Sequence, residues 1–401
     1  MSADPQAMSA GDRGGTADAR VRRTAGNRRA ALLALPILIA GLAGQALAQD
    51  APPADKGIDY SVFVPRLIER FAVPAAEDLG TRLVTLETAI NAACAADLDA
   101  AAGKRARADF AAAFRAAVVA HGHLSTLRIG ALADENRAER LAFIPDSRGV
   151  VRRQVTRLVA AGDPSALQAS SLRDKSVALQ GLTALEWIAY DKDGVVTLGS
   201  AGKPESRDYV CGYARALGER LIETAGEVSK SYRDPDGQTA LLLTPGPDNS
   251  LAKTDKEASG FVFNALLTAL ELSRDQVVAP LLAEGPAAAR AARVPFARSH
   301  TAFDHLAATL DGFAGAINAA GFADADSDAQ WIGNTVSFEA RNAGQALGAI
   351  SPDPLAALED EKDLGKLAYV RTVLDGLRPM IAGELAGYLD FKGGFNALDG
   401  D

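Results

Sequence analysis

The stretch from Ser176 to Tyr190, Ser-Val-Ala-Leu-Gln-Gly-Leu-Thr-Ala-Leu-Glu-Trp-Ile-Ala-Tyr, limits what this chain can fold into more than any other. At about 100° per residue, Ser176, Gln180, Thr183, Glu186 and Tyr190 fall within a sector about 120° wide, and Val177, Leu179, Leu182, Leu185 and Ile188 cover the rest. A helix that is apolar over most of its circumference is buried. Its narrow polar seam must then face polar groups, ordered water or a ligand, because burying an unpaired carboxylate costs on the order of several kcal/mol. Gly181 lies opposite the seam, where a missing side chain lets a neighbouring helix approach at a cost of roughly 1 kcal/mol relative to alanine. The expectation is a central helix of an all-α bundle.

A second stretch repeats the first. Leu267-Thr-Ala-Leu-Glu271 matches Leu182-Thr-Ala-Leu-Glu186 residue for residue, with Asn264, Thr268, Glu271 and Asp275 as its polar seam and Arg274 at the edge. Two helices of one kind point to an ancient duplication; the other reading is that alanine-leucine helices resemble one another easily. The predicted architecture is two helical-bundle domains, residues 49–200 and 201–401. The glycine-, serine- and charge-rich run from Asp191 to Arg207 is the linker between them. A second irregular segment is expected from Asp234-Pro-Asp-Gly237 to Lys256.

Residues 1–48 read as a secretory signal peptide. Arg20, Arg22, Arg23, Arg28 and Arg29 precede the apolar run Ala30 to Ala43, and Ala46-Leu-Ala48 supplies the cleavage site. The run is short of the roughly 20 residues a span needs, so no membrane span should survive cleavage after Ala48. Removing the six arginines and three aspartates of that stretch takes the formal charge from −9 to −12. So acidic a chain should repel nucleic acid and anionic lipid, and cationic ligands are the compatible class. In an exported protein the single pair Cys94 and Cys211 reads as one disulfide, with two buried free thiols as the alternative.

Other local patterns read as structure. His121 and His123, two apart, point to different helix faces, and His300 and His305, five apart, do not share one. His121 and His123 are read as surface or packing residues, and His300 with His305 is not read as a two-histidine metal site. Asp324-Ala-Asp-Ser-Asp328 imitates a calcium loop but lacks its turn glycine and its closing glutamate, so it is read as a helix cap. Phe143-Ile-Pro-Asp146 is read as a helix break followed by a cap. The His-Glu-x-x-His, Gly-x-Ser-x-Gly and phosphate-loop signatures are missing from the mature chain.

The chain resembles the imelysin-like family, listed among peptidases as M75, in its periplasmic, lipoprotein-like branch. Gly181-Leu-Thr-Ala-Leu-Glu186 stands where that family has Gly-x-His-x-x-Glu, with Thr183 at the histidine position. Phe143-Ile-Pro-Asp146 with Arg153-Gln154, the Leu270 to Asp275 run, Phe296-Ala-Arg-Ser299 and the terminal Gly394 to Asp401 also match. The resemblance implies a periplasmic protein that takes part in iron or other metal acquisition alongside envelope iron-uptake components. It also places Arg137 and Asp146 near the motif helix.

Histidine and glutamate at i, i+3 set an imidazole beside a carboxylate, the pairing helical bundles use for transition metals. With Thr183 the nitrogen ligand is gone. Any metal cofactor, iron or another divalent cation, would then rest on Glu186 and Glu271 with Asp146 or Asp275, which favours a hard cation held weakly. The predicted binding site is Gln180, Gly181, Thr183, Glu186, Glu271, Arg274, Asp146 and Arg137, in a cleft between the two bundles. The runner-up is a metallopeptidase. A third reading is a structural or partner-binding envelope module, in which Gln180, Thr183 and Glu186 form a satisfied polar network with Arg137 or Arg274.

Overall fold

Alanine and glycine at the crossing points let the helices of this chain pack backbone against backbone. The computed structural model describes residues 57–95, 101–200 and 204–391. Its principal helices are α1 (Val73–Ala95), α2 (Ala101–Leu124), α3 (Arg137–Leu141), α4 (Val150–Ala161), α5 (Gly181–Ala189), α6 (Pro204–Ser231), α7 (Asp255–Leu272), α8 (Ala302–Ala320), α9 (Gln330–Gly348) and α10 (Glu361–Pro379). Among the described residues there is no β-strand, only one isolated bridge between Tyr190 and Val196. The all-α class is as predicted.

Helical spacing of apolar residues explains the packing. On α2, Ala106, Phe110, Ala113, Phe114, Ala117, Val118 and His121 recur every three or four positions and are buried. The helix ends carry their expected signals. Thr254 accepts from the Glu257 amide at the start of α7 while the Glu257 carboxylate accepts from the Lys253 amide, a variant of the reciprocal cap. Asp360 caps α10 through the Asp363 amide. Asp146 accepts from the Val150 and Val151 amides at the head of α4, and Asp326 accepts from the Asp328 amide ahead of α9, both as expected from sequence.

Helices from both sides of the predicted 200/201 boundary interleave. α1 packs on α2 and on α6, α2 packs on α8, and α8 packs on α9, which in turn packs on α10. The described residues fall in one compact unit, and a single apolar core runs through them. Two glycines set the crossing of α2 with α8. A Cβ on Gly122 would stand 2.7 Å from the His305 carbonyl oxygen, and one on Gly312 would collide with the His123 carbonyl.

Three segments differ from expectation. The run Ser176 to Tyr190 is not one helix: Val177–Leu179 forms a 3-10 turn, Gln180 is extended, and α5 begins at Gly181. The expected linker is a closed turn in which Asp191 accepts from the Asp193 and Val195 amides, and α6 begins at Pro204. The irregular segment after Asp234 contains a short helix, Gln238–Leu243. The predicted signal peptide and the Gly394 to Asp401 tail lie outside the described residues. Among the described residues no helix is long and apolar enough to cross a membrane.

Cys94, at the end of α1, is bonded to Cys211 in α6 across a sequence separation of 117. This is the disulfide read from the sequence. By the chain-entropy model a loop of that length contributes about 4–5 kcal/mol. Serine at both positions is expected to lower the melting temperature by roughly 6 °C while far-UV circular dichroism at room temperature stays unchanged.

Candidate functional site

Gly181 decides where α5 starts. It adopts φ +77°, a conformation that side chains resist, and a Cβ there would stand 2.5 Å from the Leu141 carbonyl oxygen and 2.6 Å from that of Arg140. The close approach expected from sequence is therefore real, but it occurs at the helix entry and not along a helix face. Substitution by alanine is expected to cost at least about 2–3 kcal/mol, because strain at positive φ adds to the overlap; a denaturation midpoint reads this directly.

The polar seam residues each find a separate partner. Gln180 donates to the Lys175 carbonyl at 2.9 Å and accepts from Arg140 at 3.2 Å. The Thr183 hydroxyl accepts from the Phe143 amide at 3.2 Å, tying α5 to the break after α3. Glu186, 8% exposed, places Oε1 at 2.8 Å from both the amide and the hydroxyl of Ser299. The Ser299 hydroxyl also lies 2.8 Å from that of Thr301. Burial pushes the Glu186 carboxyl up to about 7, against the lowering effect of the Ser299 hydrogen bonds and the nearby Arg298.

The turn that presents Ser299 is strained. Phe296 and His300 both adopt positive φ, 60° and 57°, which non-glycine residues avoid unless the surroundings impose it. Arg298, between them, lies 4.4 Å over the Trp187 ring and donates from Nε to the Tyr190 carbonyl. Both anchors come from α5 and its end, so the turn and the helix hold each other in place.

Beside this turn is a pair that the sequence did not reveal. His121 on α2 and His305 on α8 stack at 5.3 Å between centroids, with Nδ1 of the first 3.1 Å from Nε2 of the second. Phe296 packs on both rings. The two histidines line a cavity of about 70 Å³ bounded by α2, the Arg128 to Pro145 segment, α8 and the π-helical turn Ser273–Val278 that continues α7. Burial, then His305, then Arg128 hold the His121 imidazole well below its ordinary range. Burial and Arg128 push His305 down to about 4. Positions 184 residues apart carry no local signal, and only the glycine-permitted crossing joins them.

The family profile of imelysin (Peptidase_M75) matches residues 72–373. The chain belongs to the imelysin family. Its fold is similar to that of an imelysin-like protein from Psychrobacter arcticum 273-4 (18% identity, TM-score 0.64, covering 84% of this chain and 99% of that one). It is also similar to a "putative iron-regulated protein A precursor" from Parabacteroides distasonis ATCC 8503 (13% identity, TM-score 0.62, covering 85% and 97%). No curated protein matches the chain in sequence.

The other residues expected at the site are engaged elsewhere. Glu271, 5% exposed, accepts from Arg378 Nε at 2.5 Å. Arg274 forks onto Asp275 and lies near Asp375. Arg137 bonds the Ala131 carbonyl and Asp134, and stands near Glu227. The expected network of Gln180, Thr183 and Glu186 with Arg137 or Arg274 is thus replaced by separate contacts to Lys175, Arg140, Phe143 and Ser299.

The donors around Glu186 lack the nitrogen of an imidazole–carboxylate metal site. Thr183 brings no nitrogen and is bonded to a backbone amide, and one Glu186 oxygen already takes both Ser299 donors. Among the described residues no three histidine, cysteine, aspartate or glutamate side chains gather as a metal site. What α5 and the turn assemble is an oxygen cluster of one carboxylate and the hydroxyls of Ser299 and Thr301.

Its pH dependence follows from the carboxyl of Glu186. A carboxyl raised from 4.5 to about 7 holds a proton in the folded chain that the unfolded chain has lost. That contribution, up to about 3 kcal/mol, is therefore present at low pH and lost as pH rises through this window. Glu186→Gln imitates the protonated form, so wild type is expected to lose melting temperature relative to the variant between pH 5 and 8, with the two converging at the acid end.

Proposed function

We propose that this imelysin-family chain is exported to the periplasm and works by binding, as a ligand-holding component of iron acquisition at the cell envelope, with iron as cargo. The observation that carries this reading is Glu186. It is a carboxylate taken out of water at the family's motif position and held there by a turn with two residues in strained backbone conformations. Burying such a group is costly unless it is hydrogen-bonded or paired, so its retention at this position asks for a reason, and strain of this kind clusters at functional sites. Hydroxyl and carboxylate oxygens suit a hard cation or an oxygen-rich complex of one. Family membership and the printed name of the Parabacteroides protein support the association with iron. The partners on this reading are other envelope iron-uptake components.

The test is a metal titration. Residues 49–401 are purified, bound metal is measured by mass spectrometry, and iron and calcium are titrated into the apo form and into Glu186→Gln. Weak saturable binding that drops at least about tenfold, or ~1.4 kcal/mol, in the variant supports the reading. Binding that the substitution leaves untouched removes Glu186 from the site. Chelator-sensitive degradation of a generic protein substrate would replace the reading with a metallopeptidase.

A further inference from the structure

We propose that the exposed face of α4 is a docking surface for an extended acidic segment of a partner protein, read by the guanidinium groups of Arg152, Arg153 and Arg157. This goes beyond the Glu186 reading and uses none of its residues.

From Arg148 to Gly162 the sequence has four arginines and no aspartate or glutamate, although the whole chain carries a formal charge of −9. Arg148, Arg152, Arg153 and Arg157 are all exposed, and among the described residues none of them is in an ion pair with an acid. The acids that flank the run are committed, Asp146 to the Val150 and Val151 amides and Asp163 to Ser165 and, at 2.8 Å, to Lys175. Placement adds to the imbalance. Arg152 and Arg153 stand in the first turn of α4, where the helix dipole already disfavours cations, and that turn holds no acid. Arg153 and Arg157 are a like-charged pair at i, i+4, a spacing that destabilises a helix. An incoming carboxylate relieves both conflicts.

The geometry sets the shape of the occupant. At about 100° per residue, exposed Thr156 and Ala160 run along the middle of the face, with Arg152 on one side and Arg153 and Arg157 on the other. Small residues thus form a floor between two charged walls. At its head is Gly149, whose φ of +62° favours a residue without a side chain. Arg152 Nε and Nη2 lie 3.8 and 3.9 Å, and Arg153 Nη1 lies 3.9 Å, from the point where a Gly149 Cβ would stand. Two guanidiniums therefore converge over one stretch of bare backbone, and Arg153 is held there by its bond to the Arg148 carbonyl. Arg153 and Arg157 are about 6 Å apart along the axis, close to the ~6.7 Å between same-side residues of an extended strand. Acidic residues at alternate positions of such a segment can meet both, in the two-pronged manner the guanidinium fork prefers.

An anionic membrane is a poorer match. The apolar side of α4, Val151, Val155 and Leu158, is buried in the core, so the helix has nothing to insert among lipid tails. The rest of this acidic chain would be repelled by such a surface, whereas a narrow peptide touches α4 alone. The floor is also anchored from below. The Thr156 hydroxyl accepts from Trp187 Nε1 at 3.2 Å, which ties the face to α5. The arginines are therefore presented on a fixed scaffold, and little ordering of the backbone accompanies binding.

The experiment uses two short peptides of identical composition, each with three glutamates among threonines, placed at alternate positions in one and at every third position in the other. Each is titrated into residues 49–401 by fluorescence anisotropy at about 20 mM and about 150 mM salt. The expected result is saturable binding of the alternating peptide at low salt, at least about fivefold tighter than the other and at least about tenfold weaker at the higher salt. Arg153→Gln combined with Arg157→Gln should weaken the alternating peptide at least about tenfold, and Arg152→Gln at least about threefold. These side chains are exposed, so melting temperatures should stay within about 2 °C of wild type; a larger fall would make the arginines structural and overturn the proposal. Glu186→Gln should bind the peptide as wild type does, which keeps this result separate from the metal titration. The proposal is also overturned by equal binding of the two peptides, by binding that survives the arginine variants, or by no saturable binding below about 5 mM. Inorganic phosphate or phosphatidylglycerol vesicles binding in place of the alternating peptide, or self-association of the chain through these arginines, would overturn it as well.

Discussion

The closest backbone contact between α2 and α8 is the constraint on which the arrangement of the site depends. Gly122 and Gly312 leave no Cβ at the crossing, so a carbonyl of each helix sits where a side chain of the other would stand. At that separation His121 and His305 meet ring to ring, and Phe296 is drawn over both. The turn containing Phe296 then has little freedom, and three residues later it delivers Ser299 to Glu186. A wider crossing would separate the rings and slacken the turn. Two glycines thus couple a buried imidazole pair to a buried carboxylate that lies on another element.

The two buried groups respond to pH in opposite senses. Glu186, raised by burial, contributes stability that is lost as pH rises from 4.5 to about 7. The imidazoles, lowered by burial, contribute stability that is present above the ordinary histidine range and is lost as pH falls below it, for His305 toward about 4. Between these limits both groups are neutral and neither hydration debt is incurred.

Much of the scaffold was legible in the sequence, and for identifiable reasons. Helical periodicity on α2 and α7, capping by Asp146 and Asp326, and the pairing of two cysteines in one chain are local or compositional signals, so they were readable without coordinates. The burial of Glu186 and Glu271 followed from the apolar residues around each. Periodicity misled at Gln180, where 3.6-residue spacing continued through a backbone that turns. Gly181 was the available warning, since a glycine at a helix entry and a glycine at a helix crossing look the same in one dimension. Ser299 stood within a segment matched by resemblance, but its partner did not follow from the match.

By itself, the sequence determined that this is an all-helical chain of the imelysin kind, with buried acids on apolar helices and a cystine linking distant segments. Those properties depend on residue type and on spacing along one element. Only the tertiary structure decided which groups meet: Glu186 with Ser299, Glu271 with Arg378, and His121 with His305. The physical reason is that hydrogen bonds and ring contacts are satisfied over a few ångströms in space, whereas these partners lie between 107 and 184 residues apart in the chain. Nothing in a helix's own periodicity says which neighbour will come close enough to answer it.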